Sequence, residues 1–154
     1  LKGLEKFSPK RIVLDKDLEI RLSSYIFKSV KNDNTIILHN SLNSKKIQIL
    51  KKKGVTLIRS KIDNKKLFDL KAILKKLYKL GVRNLLVEGG DKITKSFIEN
   101  KLIDKFYLFK SPKRLLTSRK HQIFSSFSIL NSKYKKVSKI SSKLVKDNIT
   151  IYKR

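Results

Sequence analysis

Five compact apolar runs, spaced so that segments of helical period fit between them, constrain this chain more than any other feature. They are Arg11-Ile-Val-Leu-Asp15, Thr35-Ile-Ile-Leu-His39, Val55-Thr-Leu-Ile58, Arg83-Asn-Leu-Leu-Val87 and Lys105-Phe-Tyr-Leu-Phe109. Continuous apolar runs of this length suit strands covered on both faces, as in parallel sheets. Between them, Asn43 to Lys53 sets Ile47 and Leu50 one turn apart ahead of Gly54. Lys66 to Leu80 is the clearest helix, with Leu67, Leu70, Ile73, Leu74, Leu77 and Leu80 at three- and four-residue steps and Gly81 as its stop. Asp91 to Lys101 forms another, with Ile93, Phe97 and Ile98 turned to the sheet. This alternation predicts an α/β architecture: a mixed, mostly parallel sheet flanked by crossover helices.

The C-terminal part breaks the pattern. Ser111 to Asn131 is rich in Lys and Ser with little period and reads as a loop, whereas Tyr134 to Ile140 and Leu144 to Tyr152 read as antiparallel edge strands. A length of 154 residues suits one domain, here residues 1–154. No apolar run approaches bilayer length, and Leu1 to Lys10 lacks the apolar centre of a signal peptide, so a soluble, cytoplasmic protein with no membrane partner is expected. There is no Cys, and the two histidines, His39 and His121, are far apart; no metal site is expected. His39 ends an apolar strand and reads as structural, and His121 is assigned no role.

The charge is extreme: 39 Lys and Arg against 12 Asp and Glu leave a net +27. Clustered cations bind phosphate, which raises the possibility of a nucleic-acid-binding module. The composition argues against it, because only 7 of the 39 are Arg and Ala occurs once, at Ala72, a bias typical of AT-rich coding. Tyr107 and Phe109, two apart, read as core rather than as a base-stacking platform.

The segment that carries chemistry is Leu85-Leu-Val-Glu-Gly-Gly-Asp-Lys-Ile-Thr-Lys-Ser96, a strand running through two glycines into a helix. Ligands in such sheets bind at strand C-termini. Glycines let the backbone approach a ligand, and the helix start offers unpaired N–H groups to a phosphate. Lys92, Thr94, Lys95 and Ser96 add donors, and Glu88 stands where a carboxylate can accept from a polar ring. The spacing is neither a dinucleotide fingerprint nor a P-loop. A bland alternative is a tight turn at Gly89 and Gly90 with Asp91 as helix cap.

Taken in order, Pro9-Lys-Arg-Ile-Val-Leu-Asp15, Asp69-Leu-Lys-Ala-Ile-Leu74, Leu85-Leu-Val-Glu-Gly-Gly90, Phe97-Ile98, Leu102-Ile-Asp104 and Ser111-Pro-Lys113 resemble the reductase domain of riboflavin biosynthesis, from near Leu4 to Tyr152. The resemblance implies a dihydrofolate-reductase-like fold. It also implies NADPH-dependent reduction of the ribosyl group of 5-amino-6-(5-phosphoribosylamino)uracil, a small phosphorylated pyrimidine, to a ribityl group. By the same resemblance Glu88 contacts substrate, and Gly90, Asp91, Lys92, Ile93, Thr94, Lys95 and Ser96 line the NADPH site. Lys16 stands where the family places a cofactor contact that is often Ser; no residue is assigned as catalyst. The family domain has a further first strand with a Ser-Leu-Asp-Gly-like turn, and is often fused to a zinc deaminase. An upstream deaminase domain is therefore expected, and dimerisation is a family-level expectation. A dihydrofolate-reductase-like enzyme acting on another small substrate is the remaining alternative.

Overall fold

The computed structural model describes residues 8–30, 34–112, 124–141 and 148–154. Its contacts divide into two compact units, Leu1–Lys79 and Leu80–Arg154. In the first, β1 (Arg11–Leu14), β2 (Thr35–His39) and β3 (Thr56–Arg59) form a parallel sheet in that order, and α1 (Tyr25–Lys28), α2 (Ser44–Lys52) and α3 (Leu70–Lys79) complete it. Leu18, Phe27, Ile37, Leu50 and Val55 make its core. The turns follow the punctuation of the sequence. Asn43 caps α2 by accepting a hydrogen bond from the Lys46 N–H at 3.0 Å, and Gly54 and Gly81 follow α2 and α3 with φ of +79° and +85°, backbone that favours glycine.

The second unit holds α4 (Asp91–Glu99), β4 (Lys105–Lys110), α5 (Phe127–Lys133), β5 (Lys135–Ser141) and β6 (Asn148–Lys153). Its strands form an antiparallel sheet ordered β4-β6-β5. Ile98, Leu130, Tyr134 and Tyr152 form the core, with Phe106 and Leu108 packed against it. The buried Tyr134 keeps its hydroxyl satisfied by accepting from the Ile103 N–H at 3.3 Å. The expected mixed α/β fold with antiparallel C-terminal strands is therefore present.

Several expectations need correction. Arg83 to Val87 is not a strand: it lies outside both sheets, and Leu86 is 80% exposed. A run of this composition becomes a strand only beside a partner strand that takes its backbone hydrogen bonds, and neither sheet includes it. α3 begins at Leu70 rather than Lys66, because the Asp63 carboxylate accepts from the Lys65 and Leu67 N–H groups in a turn and Asp69 caps the helix through the Ala72 N–H. Part of the supposed loop is α5, where Leu130 is fully buried. Tyr107 and Phe109 are not core but exposed, at 48% and 64%. The rest of that loop, residues 113–123 with His121, and residues 144–147 of the last expected strand lie outside the described residues.

The packing yields a stability test. Ile37→Ala and Leu130→Ala, each at a position with 0% exposure, should each cost about 2–5 kcal/mol on urea unfolding, whereas Leu86→Ala should change stability by about 0.5 kcal/mol or less. A large loss in Leu86→Ala would show that residues 83–87 are packed in solution.

Candidate functional site

The residues singled out by sequence fall in both units: Lys16 in the first, Glu88 and residues 90–96 in the second. In the second unit, residues 85–90 are exposed and lead straight into α4. Gly90 is the N-cap, with extended backbone at φ −72° and ψ 172°, and supplies no side-chain cap. Its carbonyl accepts from the Thr94 N–H at 3.3 Å. The backbone N–H groups of Asp91, Lys92 and Ile93 thus lack partners from the helix and from a cap, which leaves donors suited to a phosphate oxygen. Gly89 is needed for a different reason: a Cβ there would collide with the Ile93 side chain. Glu88 is exposed beside this helix start.

The side chains of α4 divide by what they already hold. The Asp91 carboxylate does not cap its own helix; it accepts from the Ser125 N–H at 3.0 Å, from the Ser125 hydroxyl, and from the Ser126 hydroxyl at 3.3 Å. The Ser125 hydroxyl bond is the main reason its pKa lies below the ordinary carboxylate value. Ser96 Oγ donates to the Lys92 carbonyl, and Lys95 Nζ sits 4.0 Å from Glu99. Lys92 is exposed, while Ile93 and Thr94 are half-buried.

In the first unit the C-terminal ends of the three parallel strands form a polar edge. Asp15 binds the Glu19 and Ile20 N–H groups through its two carboxylate oxygens. Lys16 pairs with Asp17 at 3.3 Å, and its carbonyl accepts from the Asn40 N–H at 2.8 Å. Asn40 Nδ2 donates to the Ser60 carbonyl, and the Ser60 N–H donates to the His39 carbonyl. His39 and Ser60 are 4% and 3% exposed, yet His39 Nδ1 and Ser60 Oγ have no hydrogen-bond partner. Asn40, Arg59 and Ser60 escaped the sequence reading. The available signal was their place at the C-terminal ends of β2 and β3, where sheets of this class bind ligands.

Burial is the main cause holding the His39 pKa below 6.5, with the Arg59 charge acting in the same direction and the Ser41 backbone and Asp15 opposing. A cavity of about 330 Å³ in the second unit, lined in part by Leu108, Ser111, Pro112, Phe127 and Tyr152, contains none of the substrate- or cofactor-contact residues expected from sequence. Among the described residues no three His, Asp or Glu side chains converge, and no helix is long and apolar enough to cross a membrane.

Comparison with known proteins gives concordant findings. The family model described as the RibD C-terminal domain matches residues 2–146. Over 105 residues the chain is 37% identical to riboflavin biosynthesis protein RibD of Aquifex aeolicus (strain VF5) and 30% identical to that of Actinobacillus pleuropneumoniae. Each alignment covers 68% of this chain and 28% of the relative, so the chain matches little more than a quarter of their length. Among solved structures, Acinetobacter baumannii RibD superposes with a TM-score of 0.70 at 21% identity, covering 94% of this chain and 37% of that one. A pyrimidine reductase-like protein from Corynebacterium diphtheriae superposes with a TM-score of 0.70 at 19% identity, covering 94% and 60%. These two establish a common fold, the dihydrofolate-reductase-like one.

Two acid-side effects separate by pH. His39 has a lowered folded pKa, so below pH 6.5 the unfolded chain takes up a proton that the folded chain resists, and stability should fall as pH drops through that window. Asp91 also has a lowered folded pKa, so its stabilisation is present above pH 3.8 and lost as pH falls further. Urea midpoints measured from pH 7 to pH 5 should decline in the natural chain, and His39→Gln should flatten the decline while Asp91→Asn leaves it unchanged.

Proposed function

Because this chain belongs to the RibD C-terminal domain family, we propose that it reduces the ribosyl group of 5-amino-6-(5-phosphoribosylamino)uracil to a ribityl group, with NADPH as hydride donor. The observation that carries this reading is the family match over residues 2–146. A bound nicotinamide nucleotide supplies the hydride; the protein supplies placement and electrostatics. The free N–H groups of residues 91–93 and the lack of a side chain on Gly90 fit a phosphate-bearing cofactor, and Lys92 adds a cation there. Within the proposed set, Asp91 offers its backbone N–H rather than its carboxylate, and the Ser96 hydroxyl is already engaged. Ile93, Thr94 and Lys95 complete that wall.

Glu88 is proposed as the substrate contact, where its carboxylate accepts hydrogen bonds from the aminouracil ring. Phosphate on both substrate and cofactor suits a strongly basic chain, which raises their encounter rate at low salt. The same reading includes a deaminase half upstream, a homodimer and a cytoplasmic location.

Calorimetric titration at two salt concentrations tests it. NADPH should bind saturably and more tightly than NADH at both. Gly90→Val, whose backbone angles any residue adopts, should weaken NADPH at least about tenfold with an unchanged circular dichroism spectrum. Glu88→Gln should leave NADPH affinity intact and weaken the aminouracil substrate. Equal affinity for the two nucleotides, or full NADPH affinity in Gly90→Val, would refute the assignment.

A further inference from the structure

Two helix starts in the second unit meet through one carboxylate. Gly90 is the N-cap of α4 and Ser126 that of α5, yet neither helix receives a side-chain cap. A serine at that position ordinarily turns its oxygen onto an N–H of its own helix. Here the Ser126 hydroxyl donates across to Asp91 at 3.3 Å instead, and Ser125 adds its N–H at 3.0 Å and its hydroxyl. The two serines are themselves held. Phe124 stacks on Phe106 with ring centroids 5.9 Å apart, and the Ser126 carbonyl accepts from the N–H of the fully buried Leu130. Three donors on an anchored segment thus take a single carboxylate from a distant part of the chain.

Asp91 is the first residue of α4. An acidic side chain in a first turn is drawn to the free N–H groups and positive dipole end of its own helix. Those are the N–H groups of residues 91–93, the donors a phosphate would use. A carboxylate settled on them takes the place of an incoming phosphate, and one left loose beside them repels it. Because the competitor is tethered, its local concentration does not fall when ligand is added. It also stays ionised at neutral pH, whether clasped or released.

We propose that Ser125 and Ser126 are positioning residues for the cofactor phosphate: by clasping the Asp91 carboxylate they keep it off the start of α4 and leave the backbone donors of residues 91–93 open. The inference rests on the reading of residues 90–96 as a nucleotide-binding wall and extends it to two residues outside that wall. It also explains why a serine at an N-cap leaves its own helix uncapped: its hydroxyl is spent on restraining the neighbouring helix's charge.

The test is calorimetric titration at neutral pH with NADPH and, separately, with inorganic pyrophosphate, at low and high salt. Ser125→Ala/Ser126→Ala should weaken both ligands at least about tenfold at low salt with an unchanged circular dichroism spectrum. The loss should shrink at high salt, because screening weakens the released charge. Adding Asp91→Asn to the double variant should bring both affinities back to within about threefold of the natural chain. Neutralising a side chain does not repair a displaced helix start, so this rescue separates restraint of charge from simple support of the fold. Ser125→Ala alone, at an exposed position, should show a smaller loss of the same sign and carries the test if the double variant does not fold. Unchanged affinities in the alanine variants, or a loss that Asp91→Asn leaves in place, would overturn the proposal. Pyrophosphate binding that follows this pattern in a chain that ignores NADPH would uphold the clasp and refute the nucleotide reading. Failure of the natural chain to bind either ligand would overturn both.

Discussion

The first unit is organised around one strand that water does not reach. Every residue of β2 is between 0% and 4% exposed. In such a strand each backbone N–H and C=O must be met by protein, because an unpaired buried group costs about 1–3 kcal/mol. β1 and β3 meet them on both edges in unbroken parallel register, Leu14 against Leu38 and His39 against Arg59. That register brings Asp15, Asn40 and Ser60 to one edge, although they are far apart in the chain. Their hydrogen bonds carry the ladder past the last strand residues. At the opposite edge the Arg11 guanidinium does the same, donating to Ser29, Asn34 and Thr35. The strands end there in step, so the C-terminal edge gathers these polar groups side by side.

How far the sequence is legible depends on whether the deciding interaction is local. α2 was legible because its cap, Asn43, and its stop, Gly54, lie within one turn of its ends. β2 was legible because a strand buried on both faces is apolar at every position. The run Arg83 to Val87 carries the same composition, but composition reports only what a segment would do beside a partner strand, and pairing is not local. The start of α3 was misplaced because leucine periodicity continues back to Leu67, while Asp63 forms a turn that the period does not reveal. α5 hides in a Ser- and Lys-rich stretch, since a seven-residue helix with one fully buried side chain shows too little period to register. Tyr107 and Phe109 mark a different limit: alternation shows that two residues share a face, not which face is covered.

The segment from Glu88 to Ser96 shows how a motif divides its work once folded. Sequence offered two readings of the glycine pair, ligand approach or tight turn, and the structure separates the two positions. Gly89 is demanded by packing, since Ile93 occupies the space a side chain would need. Gly90 has backbone angles open to any residue, so its conformation does not require glycine. Asp91, a candidate cap or ligand contact by sequence, anchors α4 to the segment ahead of α5 through Ser125 and Ser126. The helix N-terminus is therefore fixed in place without being capped, and its donors remain available to an anion.

The charge calls for the same distinction between what composition spreads and what geometry collects. AT-rich coding explains a high total of lysine, and it predicts lysines wherever a side chain faces solvent. It does not predict their placement relative to one another. Lysines on the exposed side of α3 meet this expectation, lying around an amphipathic helix whose buried side is Leu70, Ile73 and Leu77. The row Lys105, Lys153 and Lys135 does not, because cross-strand register holds the three side by side where repulsion works against the sheet. Lys153 is the shared partner of the other two, so a serine there alone would remove both direct repulsions. Coding bias therefore accounts for the magnitude of the charge, and cross-strand register for the placement of this row.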